Sequence, residues 1–266
     1  MDLELNGKTA IVTGGSRGIG KQVARQLALE GVDVAIVARD PAQLETTGAE
    51  LGEESGRRIV GIQADTTRDE SVRSMVEQAA GAFGHLDILV NCAAAPGGQG
   101  PPPKLAEITD ELFWDDVNTK VLGYLRCARE VAPHMVRQGW GRIICISGLA
   151  ARRAGSTIGS IRNVAVVAMA KNLADELSPH GINVTVVHPG LTRTEKTPEV
   201  VAERALRLGI SAEDAERGLA QTNLARRLID AREIAYVVAF LASPKAAAIN
   251  GDVIAAGGGA PGAIYY

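Results

Sequence analysis

Thr13-Gly14-Gly15-Ser16-Arg17-Gly18-Ile19-Gly20, set in the run TAIVTGGSRGIGKQVARQLAL (residues 9–29), is the stretch that decides the fold. TAIVT is a short β-branched run, and apolar residues recur at helical spacing after Gly18, so the glycines sit at a strand-to-helix turn. Glycine lets the backbone turn sharply and approach a ligand, while the free N–H groups and the dipole at the helix start attract negative charge. A glycine-rich turn alone is weak evidence, because glycines also simply build turns. Between a strand and a helix, at the head of a βαβ series, it reads as a dinucleotide pyrophosphate site. Gly14, Ser16, Arg17, Gly18, Ile19 and Gly20 are therefore candidate cofactor contacts.

The alternation continues along the chain. VDVAIVA precedes helix-period residues 41–54, RIVGIQA precedes 68–83, LDILVNC precedes 105–138 and GRIICIS precedes 156–179. INVTVVH then leads to a charged helical region at 195–219 and a helix at 231–242, and DVIAA closes the series. Near-continuous apolar strands imply a parallel sheet buried on both faces, and right-handed crossovers then give an α/β, Rossmann-like doubly wound sheet of about seven strands. Residues 1–266 read as a single dinucleotide-binding domain. Two insertions interrupt the regular spacing: AAAPGGQGPPPKL after the fourth strand, and a polar segment after His188. Both follow strand C-termini, the edge at which open α/β sheets bind ligands.

Composition excludes several classes. The 266 residues are 46% hydrophobic and 22% charged, enough apolar material for one large core. Lys plus Arg number 28 against 31 Asp plus Glu, with the basic residues scattered, which gives no footprint for nucleic acid. No apolar run approaches the ~20 residues of a membrane helix. The first residues carry acidic groups and do not read as a secretion signal, so a cytoplasmic protein is expected. Cys92, Cys127 and Cys145 follow no metal-ligand spacing and read as buried free thiols; no metal site is expected.

The second strand ends in Ala38-Arg39-Asp40. An acidic residue directly at the strand end would bond a ribose 2′-hydroxyl and repel a 2′-phosphate, but Ala38 holds that place. Arg39, with Arg17 in the glycine loop, offers two guanidiniums whose charge and fork geometry suit a phosphate. These residues favour NADP(H) over NAD(H). The other reading has two solvated arginines, with Asp40 supplying the acid.

These features together resemble the short-chain dehydrogenase/reductase family, whose phosphate loop reads Thr-Gly-x-x-x-Gly-x-Gly, and the likeness covers nearly the whole chain. Asp65, followed by Thr66, matches the family's adenine-contacting aspartate. Asn91-Cys92-Ala93-Ala94 is similar to its Asn-Asn-Ala-Gly motif, which implies cofactor contacts at Asn91 and Ala93. His188-Pro189-Gly190-Leu191-Thr192-Arg193-Thr194 is similar to its Asn-Pro-Gly segment, where Pro189, Gly190 and Thr192 or Thr194 would meet the carboxamide or pyrophosphate. The resemblance implies a small-molecule substrate, a substrate lid at about 193–228, and assembly as a homodimer or homotetramer through the long helices and the last strand.

At the centre of the expected site the sequence departs from the family. Its catalysis uses Asn, Ser, Tyr and Lys, the last two four residues apart on one helix face. Counting back from Lys171-Asn172-Leu173-Ala174 puts Gly159 at the tyrosine and Asn163 at the lysine. Counting back from Gly141-Arg142 puts Lys120 at the helix asparagine, with Asn118 two residues earlier. Asparagine and lysine have then traded places. The serine position falls on Gly148, with Ser147 adjacent. Lys120, Ser147 and Asn163 are the candidate catalytic residues: Lys120 as cation or proton donor, Asn163 on the ribose. Tyr124, Tyr236, the terminal Tyr265 and Tyr266, and His188 are lesser candidates for the acid. Two functions remain open, an NADP(H)-dependent oxidoreductase acting on a carbonyl or alcohol, and a non-catalytic NADP(H)-binding sensor or scaffold.

Overall fold

The structure, a computed structural model, describes residues 1–94, 101–262 and 264. Residues 95–100 of the insertion after the fourth strand, and Tyr265 and Tyr266, lie outside the described residues. In chain order the elements begin β1 (Thr9–Thr13), α1 (Gly18–Leu29), β2 (Asp33–Ala38), α2 (Pro41–Ser55), β3 (Ile59–Gln63), α3 (Asp69–Phe83) and β4 (Ile88–Asn91). They continue with α4 (Asp110–Val117), α5 (Gly123–Gln138), β5 (Gly141–Ile146), α6 (Thr157–Leu177) and β6 (Ile182–Pro189). Last come β7 (Thr192–Arg193), α7 (Thr197–Leu208), α8 (Ala212–Ala220), β8 (Ile229–Asp230), α9 (Ala231–Ala242) and β9 (Val253–Ala256).

Seven parallel strands form one sheet in the order β3-β2-β1-β4-β5-β6-β9. The chain order reverses between β1 and β4, so a crevice opens at their C-terminal ends, where Thr13 is in register with Val37 on one side and Asn91 on the other. Alternation along each strand builds two cores. Ala10, Val12, Val34 and Ile36 face a layer containing α1 and α9, whereas Ile11, Ala35 and Val37 face α3, α5 and α6. Both faces are covered, which is why the strands read as continuous apolar runs.

Local chemistry fixes the ends of elements near the crevice. Asp40 caps α2, its Oδ1 accepting from Ala42 N–H (3.0 Å) and Gln43 N–H (3.3 Å), with Pro41 preset in the first turn. The apolar spacing from 105 to 138 predicts one helical segment, but the structure divides it. A π-helical turn, Asn118–Leu122, separates α4 from α5 and turns Lys120 inward to 4% exposure. A two-stranded ladder of β7 and β8, unforeseen in the sequence, ties the start of the 193–228 segment to its end. Between them α7 and α8 pack on a small core of their own, formed by Val201, Ala205, Ala215, Leu219 and Leu228.

Candidate active site

The phosphate loop is shaped by contacts that exclude side chains. A Cβ on Gly20 would lie 2.2 Å from the Gly14 carbonyl oxygen, so α1 starts against the loop with no room for even alanine. Gly14 has φ +67° and packs its Cα on Ala93, while Thr13 Oγ1 accepts from the N–H groups of Cys92 (3.1 Å) and Ala93 (3.2 Å). These bonds lock the Asn91–Ala94 turn beneath the glycines. The Ser16 carbonyl accepts from Thr47 and its hydroxyl faces Gln43 (3.3 Å), Arg17 precedes α1 in an extended conformation, and Ile19 packs onto the core.

At the α1 start the Gly18 N–H donates to Glu195 Oε1 at 2.7 Å, a bond spanning 177 residues. A protein carboxylate thus already sits where helix dipole and free N–H groups attract an anion. That stand-in, the crowded glycines and the buried Asn91 Oδ1, which has no partner, show that the crevice fits a nicotinamide dinucleotide. A cleft of about 590 Å³ beside the loop is lined by Ser16, Arg17, Lys21, Arg193, Thr194 and Glu195, among others.

Arg39 is exposed just past β2, its carbonyl accepting from Gln63. The Asp40 carboxylate, the alternative ribose acid, caps α2 instead. Burial pushes the Asp65 carboxyl up, but the Thr67 N–H and hydroxyl, both bonded to its Oδ1, and the charges of Arg39 and Arg68 hold it below its ordinary value. Thr66 is buried against Gly123. Pro189 ends β6, Gly190 packs closely on Gly257, Thr192 bonds the Gly190 carbonyl at 3.1 Å, and Thr194 takes part in the turn that opens α7.

The three catalytic candidates meet. Lys120 Nζ donates to the Ser147 carbonyl (3.0 Å) and Asn163 Oδ1 (3.0 Å), and Ser147 Oγ donates to the Asn163 carbonyl (3.1 Å) and Oδ1 (3.3 Å). Burial is the main cause that brings the Lys120 ammonium down to about 7, helped by the charge of Arg162 and opposed by that of Asp116. Gly159 is buried in the first turn of α6, held at its N–H by the Ser156 cap (3.1 Å). Gly148 lies against Asn163 and donates its N–H to His188 Nδ1 at 3.2 Å.

The lesser candidates fare differently. Burial, with the charges of Arg152 and Lys120, brings His188 down to about 4, so it is neutral at ordinary pH. Tyr124 is buried, its hydroxyl donating to the Ile146 carbonyl at 2.9 Å, and Tyr236 is 54% exposed on α9. The three thiols are free; Cys127 and Cys145 are buried, Cys92 is half-buried, and burial pushes all three up to about 12. Asp116, Arg162 and Glu195 escaped sequence reasoning as site residues, because their partners lie on distant segments. Only the four-residue spacing of Asp116 and Lys120 hinted at a shared helix face.

This crevice, with its glycine loop at the switch point of a seven-stranded parallel sheet, defines a nicotinamide-binding oxidoreductase fold. Residues 8–205 match the family model of the short chain dehydrogenases, and the chain belongs to the short-chain dehydrogenase/reductase family. It is 36% identical over 254 residues to the short-chain reductase protein NovJ of Streptomyces niveus, covering 95% of this chain and 93% of that one. It is 34% identical to the 3-oxoacyl-(acyl-carrier-protein) reductase FabG of Staphylococcus aureus, covering 95% and 97%. Among solved structures, L-sorbose reductase from Gluconobacter frateurii complexed with NADPH and L-sorbose superposes with a TM-score of 0.93 at 28% identity, covering 99% of this chain and 100% of that one. Among the described residues no helix is long and apolar enough to cross a membrane.

Proposed function

We propose that the chain is an NADP(H)-dependent oxidoreductase that reduces a carbonyl, or oxidises the matching alcohol, with Lys120 as its proton-transfer group. One observation carries this reading: a lysine, 4% exposed and bonded to Ser147 and Asn163, has its ammonium brought to about 7 beside the crevice. A group that titrates near the working pH is suited to both giving and taking a proton. The bound cofactor supplies or accepts the hydride at the substrate carbon. In reduction, Lys120 gives a proton to the substrate oxygen and is left as a neutral amine, which regains its proton from water. Asn163, through Oδ1, holds Lys120 and Ser147 together, and the Ser147 hydroxyl orients the substrate oxygen.

The preference for NADP(H) rests on Arg39 and Arg17 and on Asp40 being engaged as a helix cap. L-sorbose reductase and actinorhodin polyketide ketoreductase, both solved with NADPH, superpose with TM-scores of 0.93 and 0.87, which supports it. The 193–228 segment acts as the substrate lid, and three of its arginines are spent on neighbours, in Arg193–Glu216, Arg217–Glu213 and Arg227–Glu233. A homodimer or homotetramer in the cytoplasm completes the reading: α6 exposes Ile161 and Val164 and α5 exposes Leu125, apolar groups suited to a second copy.

A non-catalytic NADP(H)-binding sensor or scaffold is the second reading, favoured by the fact that both bonds of the Lys120 ammonium go to the protein itself. Single-turnover oxidation of bound NADPH, at high enzyme concentration across ketones, aldehydes and quinones, separates the two. Substrate-dependent loss of NADPH is expected; tight binding without loss throughout the panel would favour the sensor.

A further inference from the structure

Two side-chain rungs join the helix segment containing α4 and the π turn to α6. Lys120 bonds Asn163, and one turn earlier Asp116 forms an ion pair with Arg162, the residue next to Asn163. The Arg162 and Asp116 side chains are only 11% and 17% exposed, and the buried Arg162 Nε has no partner. A shielded pair with an unsatisfied donor is a poor device for stability, since the desolvation of its charges is incompletely offset. Its position bears on Lys120, for Asp116 is the carboxylate whose charge reaches that ammonium.

We propose that Arg162 is a positioning residue for Lys120: by holding Asp116 in an ion pair, it denies the ammonium a counter-ion and keeps it able to release its proton. The proposal rests on the proton-transfer reading above and names what controls that group. Every charged or titratable neighbour fits this arrangement. On the helix segment that carries Lys120 these are Asp116 and the buried Tyr124; on α6, Arg162. At the C-terminal ends of β4, β5 and β6 they are Cys92 and Cys145, protonated thiols pushed up to about 12, and His188, neutral and down to about 4. Asp116 and Arg162 are therefore the charges that decide the state of Lys120, and they act in opposite directions. Freed of Arg162, Asp116 lies one helical turn from Lys120, the separation of an ordinary intrahelical ion pair.

The test is a double-mutant cycle read by the titration of Lys120 itself. Protein carrying ¹³C at lysine Cε is saturated with NADP⁺, the Lys120 resonance is assigned by its disappearance in Lys120→Met, and its midpoint is followed by NMR. Arg162→Gln is expected to raise the midpoint by about one to two pH units, the effect of one unit charge at roughly 6–8 Å in a partly buried setting. Arg162→Lys, which keeps the charge, should restore most of the native midpoint. Asp116→Asn should lower the midpoint far more in the Arg162→Gln background than in the native protein, because there the carboxylate is released from Arg162 to pair with Lys120. Equal Asp116→Asn shifts in the two backgrounds would overturn the proposal, as would an unchanged midpoint in Arg162→Gln. If Arg162→Gln does not fold, the Arg162→Lys background replaces it: its weaker hold on Asp116 should enlarge the Asp116→Asn shift, and no enlargement refutes the idea. The readout needs no substrate, so it stands apart from whether Lys120 transfers a proton, which Lys120→Ala turnover tests.

Discussion

Replacing Lys120 with Met should change how stability depends on pH. Native Lys120 is buried and its ammonium is brought from 10.5 to about 7. In the unfolded chain the amine keeps its proton up to about 10.5, so between the two values the unfolded state binds more protons and stability rises with pH. The penalty of burying the charge is complete below about pH 7 and disappears above the unfolded value. The full slope for one group is about 1.4 kcal/mol per pH unit, and because the folded amine is half titrated at pH ~7 the change between pH ~7 and ~9 is about 2 kcal/mol. The range ends there because unfolded thiols ionise near 9 whereas the buried ones are pushed up to about 12, which reverses the slope at higher pH. Urea denaturation of both proteins across this range isolates the lysine as a difference. Lys120→Met should be the more stable at pH ~7, by an amount that shrinks as pH rises. Parallel pH dependences would refute the inference that Lys120 is held without an adequate counter-ion.

Three further outcomes follow from the cofactor end of the crevice. Arg39→Ala should weaken NADPH binding by about 10- to 100-fold, the effect of losing a charge-assisted bond to phosphate, and leave NADH binding unchanged; fluorescence titration with both cofactors checks this, and equal losses would remove Arg39 from selection. Because Glu195 occupies the anion position at Gly18, Glu195→Gln should tighten binding of either cofactor by about two- to fivefold, the weight of one charge at a helix start, and unaltered affinity would show that the carboxylate does not compete. Gly20→Ala forces a Cβ to within 2.2 Å of the Gly14 oxygen, so thermal unfolding should occur at lower temperature and the stabilising effect of added NADPH should be lost; a native melting profile would mean the loop yields cheaply.

How much of this the sequence reveals depends on the range of the interaction involved. The strand from Thr9 to Thr13, the glycine turn and α1 are set by neighbours in sequence, and the structure follows the pattern almost residue for residue. The break at Asn118–Leu122 is not legible, because NTKVL contains neither glycine nor proline and the apolar spacing runs through it. The β7–β8 ladder is equally hidden, since two-residue strands carry no period and their pairing spans more than thirty residues. Counting along the chain did bring Lys120, Ser147 and Asn163 forward, and the structure joins all three by hydrogen bonds. It could not reveal that Arg162 is tied to Asp116, or Glu195 to Gly18, because long-range polar pairing leaves no local signature.

The measurement that bears most directly on the role of Lys120 is the single-turnover rate of NADPH oxidation by the native protein and by Lys120→Ala, as a function of pH, with a carbonyl substrate found in the panel. The native rate should follow a group titrating near 7. Lys120→Ala should lose that limb and about 10²- to 10⁴-fold in rate, the usual weight of a positioned general acid, with cofactor affinity nearly unchanged. Equal rates and superimposable pH profiles in the two proteins would contradict a proton-transfer role for Lys120.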